Sequence, residues 1–252
     1  MLTRIQDNLP MIISDAMFEK LHGATFAILD DDGHPVCCGF FVTPCGVALT
    51  AAHSCAYART GAGRGGRRVF RASTYRRQEF LLALVSERVG AVDIAVLRVV
   101  ASESAMPLPP RDFLALPRER HTQQQLLGAP VALIHGSIAW SAGTDAQQVA
   151  RDDGRIITSS ETILHYSVAS YKGHSGAALL FRSGQVIGLH SEGFNDLEQR
   201  HSETSPATSA DAVRLDSREI WDAVEAAKVS PAAAAGTGVP AESRRRRVST
   251  RT

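Results

Sequence analysis

Short apolar runs rich in β-branched residues recur along this chain, with turn residues between them, and this rhythm indicates an all-β protein. The runs form two groups on either side of a proline-rich segment, residues 106–128. Because proline disrupts both helices and central strands, we interpret this segment as a connector between two β units. Helical segments do not alternate with the strands, so the pattern favours a sandwich or barrels over a parallel α/β sheet. The predicted strands are Thr25–Leu29, Gly39–Thr43, Val47–Thr50, Phe80–Val85 and Ile94–Val99 in the first group, and Pro130–His135, Arg155–Thr158, Ile163–Val168, Ala177–Phe181 and Gln185–His190 in the second.

One amphipathic helix follows the second β unit, because Ile220, Trp221, Val224 and Ala227 are predicted to fall on one helical face. Asp216 or Ser217 is expected to cap this helix. The residues after it are rich in Ala, Gly, Pro and Arg and cannot bury enough apolar surface to offset their ordering entropy. The predicted segments are an N-terminal extension (1–20), the first β unit (21–105), the connector (106–128), the second β unit (129–210), the helix (211–228) and a disordered basic tail (229–252).

The overall charge gives no reason to expect a nucleic acid or a membrane surface as a partner, because the formal net charge is +1. No uncharged apolar run reaches the roughly 18 residues of a membrane-spanning helix. The first residues are interrupted by acidic residues and Pro10 and lack the apolar stretch of a secretory signal. We therefore expect an intracellular protein, or one already stripped of its export segment. Arg244–Arg247 fits a nuclear signal or a phosphate-binding patch, but a solvated tail is the favoured interpretation.

Three segments carry the groups that peptide hydrolysis by a serine requires: a hydroxyl beside a base, a carboxylate that holds the base, and donors for the oxyanion. T-A-A-H ends at His53 after a predicted strand, and D-I-A-V-L begins at Asp93 and opens another. G-H-S-G-A places Ser175 between two glycines, where the backbone can bend sharply. We predict Ser175 as nucleophile, His53 as general base and Asp93 as the residue that orients it. The N–H groups of Gly173 and Ser175 are the predicted oxyanion donors.

Two other motifs are interpreted as structural. Gly61–Gly66 satisfies the dinucleotide fingerprint G-x-G-x-x-G, but an extended run follows it and no βαβ unit surrounds it, so a loop is favoured. G-H-S-G-A also resembles the nucleophile elbow of esterases, which requires a helix directly after the serine. The residues that follow predict two strands joined by a turn at Ser183 and Gly184, so the elbow interpretation fails.

The three catalytic motifs together resemble those of the chymotrypsin-like serine proteases, in which His, Asp and Ser follow one another in this order. The resemblance extends from the first predicted strand to the helix and is closest to glutamyl endopeptidases and bacterial proteases of the high-temperature-requirement type. It implies two six-stranded antiparallel β-barrels with a C-terminal α-helix. It also implies hydrolysis of a protein or peptide substrate through an acyl-enzyme, with no metal and no organic cofactor.

The resemblance also assigns residues to substrate binding. In trypsin-like members, the residue six positions before the nucleophile is an acid that binds Lys or Arg. Ala169 takes that position here, so cleavage after Lys or Arg is not expected. Ser191 and Gly193 take the positions that pair with the substrate backbone.

His190 and Ser170 take the positions of the pocket histidine and the pocket hydroxyl of glutamyl endopeptidases. An imidazole and a hydroxyl offer donors to a carboxylate or an amide, so cleavage after Glu is predicted, with Gln as the second choice. The alternative is that His190 belongs to the pocket wall and is already hydrogen-bonded to a neighbour such as Tyr171. His174, beside the nucleophile, is expected at the rim of the pocket without a catalytic role.

Four cysteines lie in one short stretch, without the spacing of a disulfide framework or a zinc site: Cys37, Cys38, Cys45 and Cys55. We favour the interpretation that they are small buried hydrophobic residues. The resemblance leaves one alternative open. Cys38 matches a cysteine that bridges, in the family, to one directly after the catalytic histidine, where this chain has Ser54 and then Cys55. This departure puts the disulfide in doubt.

A function of a different class also stays open, in which the protease fold serves as a catalytically silent binding or chaperone-like module. Proteases of the high-temperature-requirement type carry a peptide-binding domain after the catalytic one, and too few residues follow Lys228 here for such a domain. A module of this kind would recruit its ligands with its own surface or tail. Labelling by a fluorophosphonate distinguishes the enzyme from the module.

Overall fold

The structure is a computed structural model that describes residues 14–57, 68–100, 110–136, 149–181, 183–194 and 209–229. The predicted loop at Gly61–Gly66 lies outside these residues, as does the predicted disordered tail (229–252) apart from its first residue, Val229, which is helical. Within the described ranges, no helix is both long enough and apolar enough to cross a membrane.

The described strands form two closed antiparallel barrels of six strands each. The first barrel contains β1 (Thr25–Leu29), β2 (Pro35–Phe41), β3 (Val47–Thr50), β4 (Val69–Thr74), β5 (Glu79–Glu87) and β6 (Ala95–Val100). The second contains β7 (Pro130–Gly136), β8 (Val149–Ser159), β9 (Ile163–Ser167), β10 (Ala178–Phe181), β11 (Val186–Phe194) and β12 (Ser209–Arg214). The strands are ordered β1-β2-β3-β6-β5-β4 in the first barrel, and the second repeats this order as β7-β8-β9-β12-β11-β10. The predicted double-barrel fold is confirmed.

Four α-helices and one short 3-10 helix, Val89–Ala91, accompany the barrels in the described residues. The α-helices are α1 (Asp15–Ala24), α2 (Ser54–Tyr57), α3 (Gln123–Leu126) and α4 (Arg218–Val229). The turn predicted between β10 and β11 is present, and Gly184 adopts a φ of +78° in it. The predicted elements do not include strands β4 and β12 or helices α1, α2 and α3, although the extended run noted after Gly66 overlaps the start of β4. Strand β12 also continues past residue 210, the predicted end of the second β unit.

Apolar side chains fill each barrel and the space between the two barrels. Phe26 and Phe41 belong to the core of the first barrel, and Tyr166 belongs to that of the second. A third cluster joins Phe40 of β2 to residues of the second barrel and to Ile220 of α4. Fully burying one such large side chain contributes about 1.5–3 kcal/mol. This shared cluster fixes the two barrels against each other, and the residues predicted for catalysis come from both barrels.

Ile220, Val224 and Ala227 of the predicted apolar face of α4 are buried, whereas Trp221 is only half-buried. Of the two residues expected to cap the helix, Ser217 directly precedes it and Asp216 does not. Its carboxylate accepts hydrogen bonds from Nε and Nη2 of Arg214, at 2.9 and 2.7 Å, and from the backbone N–H of His121, at 2.7 Å. Arg214 and Asp216 are both almost fully buried. Because a buried charge is costly unless an opposite charge pairs with it, each of the two side chains stabilises the other. The pair ties the connector to the end of β12.

Candidate active site

His53 and Asp93 come from neighbouring strands of the first barrel. His53 follows β3, and Asp93 precedes β6, which pairs with β3. Ala51 and Ala52, which directly precede the histidine in the chain, are both buried. Asp93 Oδ1 accepts the backbone N–H of His53 at 2.8 Å, and Asp93 Oδ2 lies 2.6 Å from His53 Nδ1. One carboxylate therefore holds both the backbone and the ring of His53.

Ser175 lies in the second barrel, in a tight turn between β9 and β10. Gly176 follows it with a φ of +86°, and a Cβ at this position would lie 2.0 Å from the carbonyl oxygen of Cys38. Only glycine fits there. The Ser175 carbonyl accepts the N–H of Cys38, on β2 of the first barrel, at 2.8 Å. These close contacts across the barrels bring Ser175 Oγ to 3.0 Å from His53 Nε2.

The hydrogen bonds of Asp93 determine which nitrogen of His53 carries the proton. Burial acts to raise the pKa of the Asp93 carboxyl, but hydrogen bonds from His53 and Ser191 hold this pKa below its usual value. An ionised carboxylate only accepts hydrogen bonds, so neutral His53 carries its proton on Nδ1. Its Nε2 then presents a lone pair to Ser175 Oγ. This arrangement can accept the hydroxyl proton when Oγ attacks an electrophile.

Strand β11 carries the two residues predicted to pair with the substrate backbone. Gly193 lies in register with Ala210 of β12. The register shifts just after His190, and such a bulge re-aims the side chain of Ser191. Ser191 Oγ donates to Asp93 Oδ2 at 2.6 Å. Sequence reasoning missed this contact, because it depends on the pairing of distant strands and no local motif signals it.

The predicted oxyanion donors lie on the turn that carries the nucleophile. Gly173 has a φ of +96°. Within the described part of the chain, the N–H groups of Gly173 and Ser175 have no hydrogen-bond acceptor. Two N–H groups left without an acceptor beside a reactive hydroxyl can donate to a negative oxygen that forms there.

The predicted pocket residues differ in their exposure. Ala169 is exposed and Ser170 is buried, both on the segment between β9 and the nucleophile turn. His190 is buried on β11, and its Nδ1 lies 2.6 Å from the hydroxyl of Tyr166. The alternative that His190 is already hydrogen-bonded to a neighbour therefore agrees with the structure, although that neighbour is Tyr166 and not Tyr171, which was named as an example.

His174 does not lie at the rim of the pocket, so that expectation is wrong. The residue is 2% exposed, and its ring stacks on that of His135 with 3.7 Å between centroids. Its Nδ1 accepts the backbone N–H of Tyr171 at 3.2 Å, while His135 Nε2 lies 2.9 Å from Asp152. Burial, reinforced by His135 and His190, lowers the pKa of His174 to about 2. His174 is therefore a neutral internal support of the turn.

All four cysteines are free thiols, so no Cys38–Cys55 disulfide is formed. Successive residues of a strand point to opposite faces, and Cys37 therefore joins Cys55 in the core of the first barrel while Cys38 faces the second. Cys37, not Cys38, is hydrogen-bonded to Ser54, the residue directly after His53 in the chain. Cys45 is exposed, so the interpretation as a buried residue is wrong for this cysteine alone.

One group in the described ranges has residue types suited to a metal: Asp30, Asp32 and His34, in the turn between β1 and β2. Asp30 Oδ1 accepts the backbone N–H groups of Asp32 and His34 at 3.0 and 2.8 Å. These bonds give the cluster a role in the turn itself. It shares no residue with the site around Ser175.

Comparison with known proteins gives a family and a set of structural neighbours. The family of trypsin-like peptidase domains matches residues 37–189. No curated protein matches the sequence significantly. The HtrA-type protease AlgW bound to a decapeptide is similar in structure, with 14% sequence identity, a TM-score of 0.55 and coverage of 85% of this chain and 67% of that one.

A serine endoprotease from Yersinia pestis is also similar, with 18% identity, a TM-score of 0.53 and coverage of 81% of this chain and 63% of that one. AlgW bound to a tripeptide matches with 16% identity, a TM-score of 0.54 and coverage of 86% and 64%. The chain thus spans about two thirds of the length of these solved structures, and at such low identity they support the fold alone. The family match spans both barrels, from β2 to β11, and includes His53, Asp93 and Ser175. The chain therefore belongs to the family of trypsin-like peptidase domains and is a serine-protease domain built on the chymotrypsin-like double barrel.

Proposed function

We propose that this chain is a serine endopeptidase in which Ser175 is the nucleophile, His53 is the general base and Asp93 orients the base. The observation that carries the proposal is the continuous series of hydrogen bonds from Asp93 Oδ2 to His53 Nδ1, at 2.6 Å, and from His53 Nε2 to Ser175 Oγ, at 3.0 Å. A positioned general base of this kind contributes about 10²–10⁴-fold to the rate. The silent binding module that the sequence leaves open has no comparable observation in its favour.

The reaction follows from this geometry in two halves. Ser175 Oγ attacks the carbonyl carbon of the scissile bond as its proton passes to His53 Nε2, and the N–H groups of Gly173 and Ser175 donate to the resulting oxyanion. The tetrahedral intermediate collapses when His53 Nε2–H protonates the leaving amine, and the C–N bond breaks to give an acyl-enzyme. Water then attacks the ester with His53 again accepting a proton. Return of that proton to Ser175 Oγ releases the acid and restores the enzyme, while Asp93 stabilises the imidazolium throughout.

The same proposal extends to specificity, with cleavage after Glu and secondarily after Gln. Burial, with the nearby charge of Asp211, raises the pKa of Tyr166 well above its ordinary value, so its phenol stays neutral. When that phenol donates to His190 Nδ1, the proton of the ring lies on Nε2, which can donate to a carboxylate or amide oxygen. Ala169 offers no charge that would attract Lys or Arg. The hydroxyl of Ser170 is the proposed second donor.

Labelling with a fluorophosphonate tests the nucleophile. The native chain is expected to react with one equivalent of the probe, and Ser175→Ala is expected to lose both labelling and peptide hydrolysis. Ser183→Ala is the matched control, because Ser183 lies in the exposed turn between β10 and β11. Labelling that persists in Ser175→Ala would assign the nucleophile elsewhere. A native chain that neither reacts nor hydrolyses any peptide would favour the binding module.

A library of internally quenched peptides, varied at the residue before the scissile bond, tests the specificity. We expect the highest kcat/KM for Glu. In Tyr166→Phe the ring remains and the hydrogen bond to His190 is lost, so the preference for Glu over Ala is expected to fall about tenfold, the size of one hydrogen bond to a charged group. Preferred cleavage after Arg or Leu would contradict this part of the proposal and leave the assignment of Ser175 intact.

A further inference from the structure

One edge of β11 is open next to the candidate nucleophile. Strand β10 pairs with β11 as far as Leu189, and β12 pairs with its other edge as far as Phe194. From Ser191 onward, no strand in the described ranges pairs with the first of these edges. Ser175 Oγ lies 3.4 Å from the carbonyl oxygen of Ser191, so the open edge begins beside the nucleophile. An extended peptide can add to such an edge as a further strand.

The place of Ser175 sets the register of a peptide on this edge. The residue whose carbonyl group is attacked must lie beside Ser191, and the edge is open only from Ser191 toward Gly193. The residues before the scissile bond then run antiparallel to β11, with the third of them opposite Gly193. The second residue before the scissile bond falls opposite Glu192. Residues directly opposite each other in an antiparallel pair have Cβ atoms about 4.5–5.5 Å apart on the same face of the sheet.

Glu192 lies on the face of the second barrel that is turned toward the first. On β11, Leu189 is in register with Val213 of β12, and Glu192 is in register with Asp211. Asp211 and Val213 are two residues apart on one strand and share a face, so Glu192 shares that face with Leu189. Leu189 and Val213 belong to the hydrophobic cluster between the barrels, whereas Glu192 is exposed. Its carboxylate therefore lies on the side where the two barrels bring the candidate triad together.

The carboxylate of Glu192 has no hydrogen bond or ion pair with any residue in the described part of the chain. Its cross-strand neighbour Asp211 is also an acid, and Asp211 Oδ1 lies 2.8 Å from Nδ1 of His165. Like charges directly opposite each other destabilise a sheet, and an opposite charge on the same face stabilises it. A positively charged side chain on the added strand is therefore the group that this position fits.

We propose that Glu192 is a specificity-determining residue that favours peptides with Lys or Arg at the second position before the scissile bond. The inference rests on the proposed function of Ser175. It extends the substrate class to a pair of positions, a basic residue followed by the residue whose carbonyl group is attacked. An exposed ion pair of this kind changes kcat/KM by up to about fivefold.

The test uses three internally quenched peptides that differ only in the second residue before the scissile bond, which is Lys, Gln or Glu. The residue after it is kept at whichever type the native chain cleaves best. At about 0.1 M salt, we expect the native chain to prefer Lys over Gln about three- to fivefold, and Gln over Glu by a similar factor. At about 1 M salt, where the screening length falls to about 3 Å, both preferences should shrink to less than about twofold.

Glu192→Gln keeps the length of the side chain and removes its charge, so the three peptides are expected to react within about twofold of one another. Glu192→Lys should reverse the order. The readout is a ratio between peptides, so a general loss of activity in either variant does not affect it.

Glu161→Gln is the matched control, because it removes the same charge from the exposed turn between β8 and β9, four residues before His165. Residues this far apart on a strand are separated by about 13 Å, more than the screening length at about 0.1 M salt. This variant should keep the native preference and the native activity.

The inference is overturned if the native chain does not prefer Lys over Glu, if Glu192→Gln keeps the preference, if Glu161→Gln loses it equally, or if about 1 M salt leaves it unchanged. A native chain that reacts with no fluorophosphonate and cleaves no peptide would instead refute the proposed function of Ser175.

Discussion

Replacing Asp93 with Asn is expected to lower kcat about 10⁴-fold, because the amide forces His53 into the tautomer that cannot act as a base. The Asp93 carboxylate accepts three hydrogen bonds: from the His53 backbone N–H and from the Ser191 hydroxyl and His53 Nδ1. An amide offers one accepting oxygen and one donating nitrogen, so it cannot serve all three donors as they stand.

The two orientations of the Asn side chain differ in what they leave unsatisfied. If the amide oxygen occupies the place of Oδ2, the amide N–H₂ faces the backbone N–H of His53, and one buried bond worth about 1–3 kcal/mol is lost. If the oxygen occupies the place of Oδ1, the nitrogen donates to His53 Nδ1 and to the Ser191 oxygen, and every group keeps a partner once the histidine proton moves to Nε2. The second orientation is favoured. In this orientation His53 Nε2 carries the proton and presents an N–H, not a lone pair, to Ser175 Oγ.

The assay is hydrolysis of an internally quenched peptide, with urea unfolding measured alongside. Because each group in the favoured orientation keeps a partner, the free energy of unfolding should change by less than about 2 kcal/mol. Kinetics and stability are therefore expected to separate. Asp222→Asn, on the exposed face of α4, is the control and should leave both values unchanged. An Asp93→Asn enzyme that retains a tenth of the native kcat would refute the tautomer argument.

Three further outcomes follow from contacts elsewhere in the fold. Asp216→Asn leaves the buried Arg214 without its counter-charge and should lower the free energy of unfolding in urea by about 3–5 kcal/mol. Asp222→Asn, which removes the exposed ion pair with Arg218, should change it by under about 1 kcal/mol. Burial acts to raise the pKa of Asp216, but hydrogen bonds from Arg214 and His121 hold it below its usual value. The stabilisation by this carboxylate is therefore complete above the unfolded pKa of about 3.9 and is lost as the pH falls through the lower folded pKa. An acid titration monitored by near-UV circular dichroism should show this loss in the native protein and not in Asp216→Asn. With a thiol reagent such as Ellman's, the native chain should expose one reactive cysteine, Cys45, and the unfolded chain four, and a disulfide reductant should leave activity unchanged.

The sequence signals that point to the candidate triad are local, because each of its residues lies beside a strand whose pattern is strong. Val47–Thr50 and Ala95–Val100 are short apolar strands, and His53 and Asp93 lie within three residues of their ends. Ser175 lies between glycines that only a sharp turn requires. Local signals of this kind survive without knowledge of the tertiary structure.

The missed elements have weak local signals for a physical reason. Strand β12 contains an arginine, Arg214, in a buried position, which a hydrophobic pattern excludes until Asp216 is seen beside it. Strand β4 is likewise mixed in character, with an exposed arginine between buried residues. The same limit applies to the resemblance that left a Cys38–Cys55 bridge open: adjacent positions in a strand face opposite ways, and motif letters do not tell whether Cys37 or Cys38 faces the side that contacts Ser54.

The two barrels divide the chemistry between them, and this division makes the contact between barrels part of the active site. The proposed base, His53, and its carboxylate, Asp93, belong to the first barrel, while the proposed nucleophile, Ser175, and the proposed oxyanion donors belong to the second. A displacement of one barrel by a single ångström would lengthen the 3.0 Å separation of His53 Nε2 and Ser175 Oγ beyond hydrogen-bond reach. The backbone bond from Cys38 to Ser175 crosses the boundary next to that separation, and Gly176 allows the backbones to approach closely enough to form it. Substitutions at this boundary should therefore reduce turnover before they reduce global stability, because the proposed reaction depends on one short distance, whereas stability is spread over the many side chains of the shared hydrophobic cluster.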